Sequence, residues 1–332
     1  MMKRKYSFLF LTLLICLIFL AGCSARQMDQ HPLVSGSQSY TFTDSAGVSL
    51  TVKQPPQRVA VLFSSFAEIW QTAGGTVAVT VGETVERGLV KEADVKLVDG
   101  GAGKTIDTEL LLSYAPDFVI CSMDIKAQAE TAELLNQNGI PSAQFVVESV
   151  DDYLKMLKIC TDITQNREAY QTAGTEMKAR VAQILAEAKQ KSGEEKKEIL
   201  FIRAGTKYSS TKAKTKDDNF VCKMLDELGA YNIAENAPVL LDGLSMEEIL
   251  KCDPDFIFIT TMGDEDAAKA YMNSQLERSE WQGLTAVKNQ QYAYLPKELF
   301  HFKPNARWDE AYQYLSDLLY PDPAGDSNVT EK

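Results

Sequence analysis

The chain has 332 residues, 45% of them hydrophobic, enough for two domains with packed cores. Its formal charge of -12 argues against a nucleic-acid partner, whose phosphates need a basic face, and against charge-driven binding to anionic lipid. None of the six cysteines sits in a CxxC pair or at ligand spacing from a histidine, which argues against a zinc site. Cys121, Cys160, Cys222 and Cys252 lie in apolar stretches and read as buried free thiols.

The start of the chain is an address. Lys3, Arg4 and Lys5 precede an apolar run from Phe8 to Leu20, the pattern of a secretory signal over residues 1–22. The run is short for a membrane span, which needs about 20 residues. The tetrad Leu20-Ala21-Gly22-Cys23 resembles the bacterial lipobox, in which the cysteine takes a diacylglycerol and becomes the first residue, so Cys23 is the expected lipidation site. Loss of the three basic residues leaves a mature charge of -15. Residues 23–39 are polar with Gly, Pro and Ser and read as a flexible tether.

From Tyr40 strands and helices alternate. A hairpin is expected over Thr41 to Val52, turning at Ser45-Ala46-Gly47; then a strand from Arg58 to Phe63, a helix from Phe66 to Ala73 closed by Gly74-Gly75, and a strand from Thr76 to Val81. Such alternation implies a mostly parallel sheet covered on both faces. An internal repeat follows. Thr108-Glu109-Leu110-Leu111-Leu112-Ser113-Tyr114-Ala115-Pro116-Asp117-Phe118 and, 138 residues on, Met246-Glu247-Glu248-Ile249-Leu250-Lys251-Cys252-Asp253-Pro254-Asp255-Phe256 share one pattern. Each has a glutamate, a short apolar helix that proline ends, and a buried strand. Ile199 to Ile202 and Phe220 to Leu228 answer the first half's opening strand and helix. Between the halves, Tyr170, Ala173, Met177, Val181, Ile184, Leu185 and Ala188 recur at helical spacing within Asn166 to Lys191, a helix of roughly 39 Å.

The expected fold is therefore α/β: two similar lobes with mostly parallel sheets joined by one long rigid helix. The lobes span 40–165 and 193–322, the helix 166–192, and a disordered tail 323–332. One cleft between the lobes is the natural place for a ligand.

At this point the sequence resembles a family. The lipobox, the opening from Tyr40-Thr41-Phe42-Thr43-Asp44 to Pro55-Pro56-Gln57-Arg58-Val59, the paired Pro-Asp-Phe units, the joining helix and the run from Met224 to Ala234 are similar to those of the iron-siderophore, haem and cobalamin substrate-binding proteins of ABC importers. The likeness covers about residues 40 to 320. It implies a monomeric extracytoplasmic receptor without intrinsic cofactor, lipid-anchored to the outer face of the cytoplasmic membrane, periplasmic in a host with an outer membrane. It implies a permease and an ATPase as partners, met through surface glutamates that fall on Glu109 and Glu247, with the neighbouring Glu248 a competing choice for the second. It implies a bound ferric chelate, a siderophore ahead of haem or cobalamin.

Loops after the strands should line the cleft. Ser64 and Ser65 follow the first strand. Gly100 to Lys104 is glycine-rich but lacks the Gly-Lys-Ser/Thr ending of a phosphate cradle, and reads as a turn. Arg203, Lys207, Lys212, Lys214 and Lys216 form a stretch with no acidic residue, a positive field suited to an anionic ligand; Arg203 and Lys207 lie closest to the strand end. The Lys297 to Arg307 loop brings His301, an axial ligand for haem iron or a hydrogen-bond partner for a chelate, and Arg307. Met262 and Tyr208 are second-rank iron ligands, and Tyr292, Tyr294, Phe300 and Phe302 offer aromatic surface. A bare metal ion would want several histidines and carboxylates; the chain has two histidines, and His31 lies in the tether. No Ser-His-Asp set, HExxH, P-loop or nucleophile elbow is present. The reading is a binding protein and no enzyme; the rival of another class is a secreted chelate-processing enzyme on a two-lobed fold.

Overall fold

The computed structural model describes residues 38–193 and 196–321; the signal segment, Cys23, His31 and the 323–332 tail lie outside them. The first described element is a hairpin. β1 (Gln38–Thr43) pairs antiparallel with β2 (Ser49–Gln54), and Gly47 supplies the positive φ of the turn between them. Phe42, Leu50 and Val52 are buried on one face. Gln38 and Ser39 pair with Gln54 and Lys53, so the strand takes in two residues that composition alone leaves in the tether.

Two parallel sheets follow. In the first half, β3 (Val59–Val61), β4 (Val79–Thr80), β5 (Lys96–Leu97), β6 (Phe118–Ser122) and β7 (Ser142–Phe145) stand in the order β5-β4-β3-β6-β7. In the second, β8 (Glu198–Ala204), β10 (Tyr231–Asn232), β11 (Phe256–Thr261) and β12 (Tyr292–Tyr294) stand in the order β10-β8-β11-β12, and β9 (Lys212–Ala213) lies antiparallel on β8. β4 is shorter than the apolar run around it, because only Val79 and Thr80 pair with neighbours.

Strand alternation sorts the side chains into three cores. Val59, Val61, Phe118, Ile120, Ile199, Phe201, Phe256 and Phe258 all belong to one cluster, which also takes in Met177, Val181 and Trp308. The opposite faces, with Ala60, Val119 and Cys121 in one lobe and Leu200, Ile202, Ile257 and Ile259 in the other, have separate clusters. The lobes are thus welded through a shared inner core. Cys121, Cys160 and Cys222 are buried free thiols, and Cys252 is half-buried.

The joining segment runs as Arg167–Tyr170, a π turn over Gln171–Glu176, and an α-helix over Met177–Lys191, with right-handed backbone at each junction. Asn166 caps its start by accepting from the Ala169 amide at 3.1 Å. The π turn is a departure from the regular rod. It coincides with the Tyr153 hydroxyl donating to the Ala173 carbonyl at 3.1 Å and with buried Gly174 against Leu154 and Leu157. Met177, Val181, Ile184 and Ala188 face inward, where the last helix, Trp308–Leu319, packs on them.

The repeat has a structural purpose. In the first lobe the Asp117 carboxylate accepts from the Gln57 and Arg58 amides at 2.7 and 2.8 Å, and the Asp117 amide donates to the Arg58 carbonyl. In the second, Asp255 accepts from the Glu198 amide at 3.0 Å and its own amide donates back to the Glu198 carbonyl. Each Pro-Asp-Phe unit therefore fastens the start of its neighbouring strand. Asp117→Ala should cost about 1–3 kcal/mol in urea unfolding, because it loses two charge-assisted bonds, and Asp255→Ala less, because it loses one.

Candidate ligand cleft

Parallel strands bring their carboxyl ends to one edge of each sheet, where ligands of such folds gather. At the end of β3 the helix Ser64–Thr72 begins with two buried serines. Ser64 donates to Glu83 at 2.5 Å. Arg87 reaches Ser64 at 3.2 Å and pairs with Glu68 at 2.9 Å, and its guanidinium lies 4.0 Å over the Phe302 ring. The second lobe answers through one short segment. The Lys303 amide donates to the Ser65 hydroxyl at 3.3 Å, and its ammonium pairs with Glu148 at 2.5 Å. Asn305 donates to the Ser65 carbonyl at 2.9 Å and to Glu68 at 3.0 Å. Ser64 and Ser65 thus have their hydroxyls engaged within the protein at the seam between the lobes.

His301 adjoins this seam. Its ring stands edge-on to Phe302 with centroids 5.1 Å apart, and its Nδ1 lies 3.1 Å from the Thr261 carbonyl. Burial first, then the Lys297 ammonium, push its pKa below the ordinary 6.5, with Arg203 adding to the effect and Glu83 opposing it. A carbonyl can only accept, so Nδ1 carries the proton. Nε2 keeps its lone pair and has no hydrogen-bond partner among the described residues. This is the tautomer that can bind a metal or accept a hydrogen bond. Because the unfolded chain takes up a proton here that the folded one resists, stability should fall as pH drops below about 6.5. In urea titrations at several pH values, His301→Gln should remove that part of the slope.

The basic loop divides in two. Lys214 pairs with Asp218 at 2.5 Å and Lys216 with Asp226 at 3.3 Å, partners that lie beyond the loop in sequence. Arg203, Lys207 and Lys212 have no carboxylate partner among the described residues, and Arg203 sits opposite Lys212 in the β8–β9 register. Lys207 is exposed, and Tyr208 is exposed with its hydroxyl against Gly243. Met262 follows β11 half-exposed, its amide bonded to the Ala204 carbonyl. Arg307 makes a bidentate pair with Glu310, both bonds at 2.6 Å, on its own helical turn. Phe300 is drawn into the shared core and Tyr294 donates to Asn273 at 2.6 Å. The glycine-rich loop is a turn: the Asp99 carboxylate takes the amides of Gly101 and Gly103 and the Thr105 hydroxyl.

The structure thus draws Ser64, Ser65, His301 and Arg203 toward one region, and leaves Lys207 and Tyr208 on an exposed loop. Glu68, Glu83, Arg87 and Glu148 belong to the same region, and sequence reasoning missed them; Lys303 and Asn305 fall within the Lys297 to Arg307 loop expected to line the cleft, though neither was singled out there. Lys303 and Glu148 are 155 positions apart, and no local spacing signals such a pair. Two surface depressions of about 650 Å³ each lie elsewhere, beside the turn of the β1–β2 hairpin and at the hairpin's base. Among the described residues no cluster of three or more His, Cys, Asp or Glu side chains is placed to hold a metal ion. Glu109 and Glu247 are exposed on the first turns of their helices.

The chain resembles known proteins over most of its length. The family model described as periplasmic binding protein matches residues 59–299. A putative ABC transporter substrate-binding lipoprotein of Bacillus subtilis, YhfQ, is 25% identical over 96% of this chain and 99% of its own. Among solved structures, the periplasmic catecholate-siderophore binding protein VctP from Vibrio cholerae aligns with a TM-score of 0.67 at 14% identity, covering 85% of this chain and 99% of its own. The periplasmic heme-binding protein RhuT from Roseiflexus sp. aligns at 0.62 and 17%, covering 80% and 98%. Two parallel-sheet lobes, a long joining helix and a family match over most of the body lead to one assignment: the chain belongs to the periplasmic binding protein family, the extracytoplasmic substrate-binding proteins of ABC importers, and it binds a solute without transforming it.

Proposed function

We propose that the protein captures a ferric chelate outside the cell, a siderophore ahead of haem, and delivers it to the permease and ATPase of an importer. In this reading it is a monomer held to the membrane through lipid on Cys23, and Glu109 and Glu247 meet the permease. One observation carries the ligand class. Arg203, Lys207 and Lys212 have no carboxylate partner among the described residues and carry positive charge at the strand ends of a strongly acidic chain, and ferric siderophores are anionic. Two aromatic side chains expected to cover a flat porphyrin are occupied otherwise, Phe300 in the core and Phe302 beneath Arg87, which favours a compact chelate. The haem reading rests on the open Nε2 of His301. Likeness to one siderophore binder and one haem binder supports an iron-bearing cargo of either kind.

Titration of tryptophan fluorescence separates these readings. Trp308 lies in the shared core three residues from the Asn305 seam, so closure on a ligand should alter its emission. A ferric tris-catecholate or ferric hydroxamate should quench it saturably, and Arg203→Ala with Lys207→Ala should weaken that binding at least tenfold, the loss of about 1.4 kcal/mol or more. A ligated Soret band with haemin that His301→Ala changes would replace the siderophore reading with the haem one.

A further inference from the structure

The two glutamate helices match beyond their sequence pattern. From Thr108 to Phe118 and from Met246 to Phe256, the exposure class agrees at every position except Asp117 and Asp255. Leu111 and Ile249, both wholly buried, anchor the helices. One residue later, Leu112 and Leu250 are 39% and 44% exposed, among the few large apolar side chains that face water. Each follows its glutamate by three positions and so lies on the same helical face, one turn away. A single exposed leucine needs no explanation. Two at equivalent positions, each beside an exposed carboxylate without an ion-pair partner among the described residues, form a duplicated surface element.

We infer that Leu112 and Leu250 are the apolar half of a two-point docking surface. Each leucine, with Glu109 or Glu247 beside it, seats on one of two copies of a membrane subunit that offers a cationic side chain next to an apolar recess. Charge points to that partner. From Asp107 to Ala115 the first element has two acidic residues and no basic one, and in the second Lys251 is paired with Glu248, leaving Glu247 uncovered. The duplication fits a partner that presents the same site twice about a two-fold axis. The energetic logic is that of interfaces in general: a dehydrated apolar anchor supplies affinity and the neighbouring charge supplies register. The inference rests on the docking reading above and adds the residues that would hold the complex together.

The test uses the mature protein and the permease–ATPase complex that imports the same chelate, reconstituted in nanodiscs. Leu112→Ser and Leu250→Ser, singly and together, should weaken docking roughly tenfold each and about a hundredfold in combination, with chelate affinity by fluorescence unchanged. Leu→Gln at both positions, which keeps helix propensity, should do the same. If Glu109→Ala with Glu247→Ala weakens docking and the leucine variants do not, the inference fails and the docking reading stands. If neither pair matters, both fail. Sedimentation showing a wild-type dimer that the leucine variants dissolve would assign these side chains to self-contact and overturn the inference.

Discussion

Reversing both surface glutamates, Glu109→Lys with Glu247→Lys, is expected to lower chelate uptake more than a hundredfold while chelate binding stays within about twofold. Both side chains are exposed and sit in the first turn of short helices, where the helix dipole favours a carboxylate without needing another partner. Neither takes part in the hydrogen bonds that build the cleft seam, so their replacement leaves the cleft alone. Against a cationic partner each reversal exchanges attraction for repulsion, and like-charge juxtaposition costs several kcal/mol; each 1.4 kcal/mol is a factor of ten. Glu109→Gln with Glu247→Gln should fall between. Uptake of radiolabelled ferric chelate into proteoliposomes, beside fluorescence titration of the same variants, measures both quantities. Uptake that survives the double reversal would remove the glutamates from the docking account.

Truncating Trp308 should be the most damaging single change to stability. Its ring is wholly buried, edge-on to Phe220 at 5.7 Å and tilted against Tyr312 at 6.4 Å. It opens the last helix, which packs on the joining helix within the core shared by both lobes. Trp308→Ala should cost about 3–5 kcal/mol, the transfer and cavity terms of a large aromatic side chain. Its Nε1 is buried without a hydrogen-bond partner among the described residues, so Trp308→Phe removes an unpaired donor together with some volume and should cost less than about 2 kcal/mol. Because one core serves both lobes, urea unfolding should remain a single transition whose midpoint moves. Two separated transitions in the alanine variant would show that the lobes fold independently.

These expectations follow from one arrangement. Lys303 and Asn305 tie the second lobe to Ser65, Glu68 and Glu148 of the first, and the shared core lies beneath them. A receptor so joined is expected to close on its ligand by small adjustment at the seam, and scattering with and without ligand should show little change in overall size. The exposed glutamate–leucine pairs lie on helices outside that seam, so the surface proposed to meet a membrane partner can be altered without altering the seam.

The local sequence was enough to determine the repeat. Proline after a short apolar helix, then an apolar strand, can fold in few ways, but that the aspartate between them fastens a strand 57 to 60 positions earlier came only from the tertiary structure. The α/β alternation and the joining helix were legible for the same reason: apolar periodicity is a property of neighbouring residues. Composition also argued against nucleic acid and left the basic stretch from Arg203 to Lys216 conspicuous. What the tertiary structure decided was which of those charges remain free. Lys214 and Lys216 found Asp218 and Asp226, Arg307 turned to Glu310, and Arg203, Lys207 and Lys212 were left without a carboxylate partner among the described residues. It also decided the tautomer of His301, through a carbonyl 40 positions away, and the seam of Arg87, Glu148, Lys303 and Asn305. Pairing of charges and closure of lobes depend on distances between residues far apart in the chain, and no spacing pattern carries those distances.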